Sequence, residues 1–217
     1  MPSKSNKIVL VRVSVLSTLR RVAAYSLLLN TILLFLLVWG GEKVYQDVKV
    51  AKVVEQSLRD QRDMALSEVR HEHSLTEKAI KYIHHVDPSI PTEKATALAT
   101  MNNKVAKALQ VSPDIGLALM TQESHMNCGA ISHNHTSYGC LQINLTAHKK
   151  EYRINKRKLL DMNYNLATGY LLFKKLRDKY GSNEKAFEHY YGSTSDAENK
   201  EYARSVMKHL QSIQQNI

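Results

Sequence analysis

The sequence is short of acid in two places. No Asp or Glu precedes Glu42, although Lys4, Lys7, Arg12, Arg20 and Arg21 do, and none lies between Glu123 and Glu151. The first gap makes the N-terminus a purely basic tail. The second excludes a carboxylate partner placed shortly after Glu123. From Val22 to Gly41 (VAAYSLLLNTILLFLLVWGG) charge is missing altogether, and from Glu42 to Asp87 there is neither glycine nor proline. Nothing in that second stretch breaks a helix. Cys128 and Cys140 are the only cysteines, so any disulfide framework is a single bridge. No internal repeat, low-complexity tract or nucleic-acid-binding motif occurs, and nucleic acid is not an expected partner.

A helix of twenty residues is about 30 Å long, the thickness of a bilayer's hydrocarbon core. The run 22–41 is therefore expected to be a single-pass transmembrane helix, with Trp39 near one end as interfacial aromatics are. With the positive flank ahead of it, the tail of residues 1–21 stays in the cytoplasm and the rest is exported. A cleaved signal peptide is the alternative. Its apolar region is normally shorter, and no Ala-x-Ala-type site follows Leu37.

Residues 42–87 alternate charges of both signs and read as one helical stalk, roughly 65–70 Å long if straight. Val44, Val48, Ala51, Leu58, Ala65, Val69 and Ala79 recur at three-, four- or seven-residue multiples, interrupted by Glu55, Arg62 and Glu72. A homodimeric coiled coil, a solvated single helix and a helix packed back on the domain all fit this pattern. His71, His73, His84 and His85 read as surface histidines of a polar helix rather than as a metal site.

Pro88 and Pro91 end the stalk and open a folded domain over 88–217. Thr92 is expected to cap a helix through about Gln110. Ser112, Pro113 and Asp114 then follow the order of an N-cap, an N1 proline and an acidic first turn. From Ile115 to Met120 nearly every residue is apolar, on all sides, as in a helix buried within a core. Glu123 comes next. An acid at the end of a buried helix feels the negative end of the macrodipole and loses hydration, and both effects favour the protonated form. A general acid at neutral pH requires that form. An exposed Glu at a fraying helix end is the ordinary alternative.

Asp161 to Asn165 open a further helix that stops at Gly181. A short helix over Glu184–Tyr190 and a terminal one from about Asp196 complete a mainly α domain. It carries seventeen basic and eleven acidic residues, a net +6 of the chain's +10, a balance suited to an anionic polymer.

Four stretches recur in a familiar order: Glu123-Ser124, Tyr138-Gly139-Cys140-Leu141-Gln142-Ile143, Asn165 to Leu176 (NLATGYLLFKKL) and Tyr190-Tyr191-Gly192. Together they resemble the motifs of the lytic transglycosylase (SLT) domain, over roughly residues 92–210. That family has a Glu-Ser pair, a Gly-Leu-Met-Gln-like stretch, a helix opening with Asn and carrying Gly then Tyr-Leu, and an Ala-Tyr-Asn-x-Gly-like stretch. Cys140 stands where the family usually has an aliphatic residue, and Tyr191 where Asn is common.

The resemblance implies a lysozyme-like fold that cleaves peptidoglycan glycan strands without a cofactor. It makes Glu123 the catalytic acid, Ser124 a residue that orients the Glu or the substrate, and Gln142 a cleft-lining residue. Gly139 would permit the tight chain there, Tyr190 would hydrogen-bond near the Glu, and Tyr138 and Tyr191 are weaker candidates for stacking on sugar. Glycoside cleavage usually takes two carboxylates, and none follows Glu123 closely. The family's chemistry supplies the lack from the substrate, with a 1,6-anhydro product and no water. A lysozyme-type hydrolase is the second choice, and a lysozyme-like module that holds glycan or assembles an envelope machine without cutting is the alternative.

If exported, Cys128 and Cys140 face an oxidising compartment, and a bridge between them would be worth about 3 kcal/mol and would hold the loop beside the acid. Cys128, His133, His135 and Cys140 are also four zinc-competent ligands at symmetric spacing. A zinc-stabilised interaction domain would be a third reading. The expected setting is a bacterial inner membrane with the catalytic domain in the periplasm, or a phage-encoded envelope or virion protein. Envelope-spanning secretion, conjugation or phage-entry machinery would be its partners.

Overall fold

The computed structural model describes residues 21–32, 41–147 and 154–215. The basic tail, up to residue 20, lies outside the described residues, as do residues 33–40 within the expected span. Residues 21–32 are helical. Among the described residues, no helix is long and apolar enough to cross a membrane. The chain divides into two compact units, residues 1–70 and 71–217.

A helix, α1, runs over Gly41–Val86, as the absence of Gly and Pro from 42 onward predicts. In the first unit its Val50, Val53, Met64, Leu66 and Val69 are exposed, and Arg59 pairs with Glu55 one turn away. In the second unit the last turns of α1 are core. Ala79, Tyr82 and Ile83 are buried there, so this part packs on the domain. The compact unit accordingly begins near His71, ahead of the boundary expected at Pro88. Past Val86, Asp87 accepts from the backbone N–H of Ser89 at 2.9 Å, a local turn that leads the chain away from the helix.

Helix α2 spans Thr92–Leu109. Thr92 does not cap it. The cap is Pro91, at φ −58° and ψ 140° and with no side-chain hydrogen bond, because its carbonyl already accepts from Ala95 N–H at 3.0 Å and starts the helical ladder. Helix α3, Pro113–Ser124, is capped by Ser112, whose hydroxyl accepts from Asp114 N–H. Seven successive residues, Ile115 to Thr121, are buried. The helix ends at His125, in the left-handed conformation, with Met126 N–H bonded back to the Met120 carbonyl at 3.2 Å and the Met126 side chain tucked into the core. This is a Schellman-type stop with its apolar contact.

Beyond the helices the sequence suggests, two short strands, β1 at Ser137–Tyr138 and β2 at Ile143–Asn144, form a small antiparallel hairpin. Two-residue strands are too short for an alternating pattern to reveal. After a 3₁₀ turn at Lys156–Lys158 come α4, Met162–Tyr180, capped by Asp161 and stopped at Gly181, then α5, Asn183–Tyr191, and α6, Asp196–Gln215. Helix α3 packs against α2 and α6, α4 against α2 and α5, and α5 against α6. The result is a mainly helical domain with α3 at its centre. Gly116 allows this packing, since a Cβ there would collide with the side chains of Asn102 and Tyr170.

Candidate active site

A cleft of about 380 Å³ opens on the hairpin side of the domain. One wall is the loop before the hairpin, with Ser132, Asn134, Thr136 and Ser137. The others come from Gln142, Ile143 and Asn144, from Leu172 of α4, and from Tyr190 and Tyr191 of α5. Among the described residues, Glu123 is the one charged residue lining it.

Glu123 sits in the last turn of α3 and is half-buried. Burial pushes its carboxyl from an ordinary value of 4.5 up to about 7, while a hydrogen bond donated by the Tyr202 hydroxyl to Oε1 works in the opposite direction. Desolvation disfavours the charge and the phenol partly restores it. The net effect leaves both protonation states populated near neutral pH, as a group that first gives and then takes a proton requires.

The shell behind the acid is built from hydrogen bonds to the hairpin turn. Ser124 donates from Oγ to the Cys140 carbonyl at 2.8 Å, Tyr190 from its hydroxyl to the Leu141 carbonyl at 2.9 Å, and Gln142 from Nε2 to the Gly139 carbonyl at 2.9 Å. Fully buried Asn165 completes it, accepting from Leu141 N–H at 2.9 Å and donating to the Tyr138 and Leu159 carbonyls at 2.8 and 2.9 Å. Gly139 has φ +79°, and a Cβ there would overlap Asn165 and the Leu159 carbonyl, so only glycine fits. Cys128 and Cys140 form a disulfide that closes the loop carrying Ser132 to Ser137. Both sulfurs are thereby taken from the alternative zinc set.

The sequence pattern of the Transglycosylase SLT domain matches residues 100–211, just over half of the chain. The chain belongs to the SLT family. No curated protein and no solved structure matches it. At the level of the family, the activity is lytic-transglycosylase-type cleavage of peptidoglycan, with peptidoglycan as the bound substrate.

Within this SLT domain the cleft brings together Glu123, Gln142, Tyr190 and Tyr191. Ser124 and Gly139 lie one layer behind. Tyr138 is placed elsewhere: it is buried, its hydroxyl donates to the His135 carbonyl, and Lys156 Nζ stands 5.3 Å from its ring centre. Tyr202, the direct partner of Glu123, escaped the motif reading. A signal for it existed: Tyr202, Val206, Leu210 and Ile213 recur at helical spacing and are buried, which marks Tyr202 as an inward-facing phenol in need of a polar partner.

Proposed function

We propose that this protein is a membrane-anchored peptidoglycan lytic transglycosylase that cleaves the β-1,4 bond between MurNAc and GlcNAc, with Glu123 as its single acid and base. The observation that carries the reading is a carboxyl, poised near pH 7, in a cleft whose other walls, among the described residues, are uncharged polar, aliphatic and aromatic side chains.

In its protonated form Glu123 gives its proton to the glycosidic oxygen as the bond from that oxygen to the MurNAc anomeric carbon breaks, releasing the GlcNAc 4-hydroxyl. The substrate's own N-acetyl group assists at the anomeric carbon, in place of the second carboxylate that most glycosidases use. The Glu123 carboxylate then takes the proton of the MurNAc C6 hydroxyl as that oxygen attacks the anomeric carbon. A 1,6-anhydro ring forms, Glu123 is protonated again, and no water is consumed. Gln142, Tyr190 and Tyr191 line the glycan path, while Ser124 and Gly139 shape the turn that holds it.

Anchoring by residues 22–41, with the catalytic domain on the far side of a bacterial inner membrane, belongs to the same proposal. The uncharged run supports it, as do the exposed Tyr25, Leu27, Leu28 and Ile32.

The test is release of anhydro-muropeptides from purified sacculi, measured by mass spectrometry. Wild-type protein is expected to give anhydro ends and Glu123→Gln none. Reducing ends in place of anhydro ends would make the protein a lysozyme-type hydrolase. Binding to sacculi without either product would make it a glycan-holding module.

A further inference from the structure

Tyr191 is half exposed on the cleft, with 49% of its surface open, at the end of α5 where Gly192 turns the chain in the left-handed conformation. Its ring lies nearly parallel to that of Tyr202, 16° apart and with centres 4.8 Å apart. Offset stacking at this distance is favourable beyond the area it covers. Tyr202 is itself buried and donates to Glu123. The three side chains therefore form a relay from solvent to acid, in which Tyr191 covers the face of the ring that holds Glu123.

We propose that Tyr191 is a positioning residue for the acid, acting through Tyr202: stacked on that ring, it holds the phenol on Glu123 and keeps water off the pair. The proposal rests on Glu123 as the acid. Among the described residues, the titratable groups around Glu123 are the hydroxyls of Tyr202 from α6 and Tyr190 from α5, with Tyr191 against Tyr202. Neutral phenols dominate this surround, so access of water sets the acid's protonation more than neighbouring charge does.

The ring is what acts, because stacking needs the π face and not the hydroxyl. Opening the cleft at this point lets water reach Glu123, and the loss of desolvation outweighs the weaker phenol bond, since burial is the larger of the two influences on the acid. The protonated fraction at neutral pH then falls.

The experiment compares Tyr191→Ala, Tyr191→Asn and Tyr191→Phe with wild type in the full chain, measuring anhydro-product release from purified sacculi between pH 4 and 9 and at varied sacculus concentration. In Ala and Asn the alkaline limb is expected about one pH unit lower, and kcat at pH 7 about fivefold lower, as a shift of the acid from about 7 to 6 dictates, beside any rise in KM from the lost cleft wall. Tyr191→Phe is expected to keep the wild-type pH profile. An unmoved alkaline limb in Tyr191→Ala overturns the proposal, as does a loss confined to KM, which would make Tyr191 a sugar contact alone. Equal thermal unfolding temperatures of Ala and Phe variants separate positioning from misfolding, and a shifted limb that Phe shares also overturns it. Activity surviving in Glu123→Gln would instead sink the assignment of the acid.

Discussion

Ser124 gives its hydroxyl hydrogen to the carbonyl of Cys140, 2.8 Å away, and so joins the end of the acid-bearing helix to the disulfide-closed loop. The bond is partly buried, and Cys140 is fully so. Replacing Ser124 by Ala leaves that carbonyl without its partner. The expected cost is about 1–2 kcal/mol of stability, seen as a lower thermal unfolding temperature. Activity is expected to fall as well, because the turn bearing Gln142 loses its tie to α3.

Removal of the Cys128–Cys140 bridge acts mainly on the unfolded chain. Closing a loop with a sequence separation of 12 residues is worth about 3 kcal/mol in the loop-entropy description. Reductant, or Cys128→Ser with Cys140→Ser, is expected to lower the unfolding temperature accordingly. Mass spectrometry should record a gain of two hydrogen atoms on reduction, the electrons coming from the reductant, and elemental analysis no zinc.

Glu123 also links stability to pH. Its folded value, about 7, lies above its ordinary 4.5, so the native state holds the proton more tightly than the unfolded chain. The contribution of this group to stability is complete below pH 4.5 and is lost as pH rises through 7. Glu123→Gln carries no such charge and keeps an acceptor for Tyr202. The variant is expected to match wild type near pH 4 and to exceed it at pH 8, by at most about 3 kcal/mol. Denaturant titrations at the two pH values measure the difference.

Tyr202→Phe keeps the ring stacked on Tyr191 but removes the donor to Glu123. The hydrogen bond favours the carboxylate, so its loss raises the acid's value. The alkaline limb of activity is expected to move up by about one pH unit, opposite in sign to the effect of Tyr191→Ala. A pH series of anhydro-product release distinguishes the two directions.

The helices were legible because their punctuation is local. Ser112-Pro113-Asp114, Asp161 and Gly181 each mark an end through chemistry within one turn, and the unbroken apolar run from Ile115 announces burial of α3. The raised value of Glu123 follows from that burial, and was readable for the same reason. Tyr202 was harder. It meets Glu123 across 79 residues of sequence, from a helix that is mostly polar, and only its place on a buried stripe hints at the contact. Tyr138 had the motif position of a cleft residue, yet the turn at Gly139 sends its side chain to the His135 carbonyl. The start of α2 moved by one residue because a proline carbonyl opens a helix without any side-chain cap.

The burial of Ala79, Tyr82 and Ile83 at the end of α1 has a practical side, for Tyr82 also accepts a hydrogen bond from Thr121 of α3 at 3.2 Å. A protease or an engineer cutting just ahead of Pro88 would not shed a mere tether. Such a cut would peel three interior side chains off the enzyme and strip the hydroxyl partner of Thr121, two residues before the acid. A catalytic fragment meant to survive alone should keep the chain from about His71 onward.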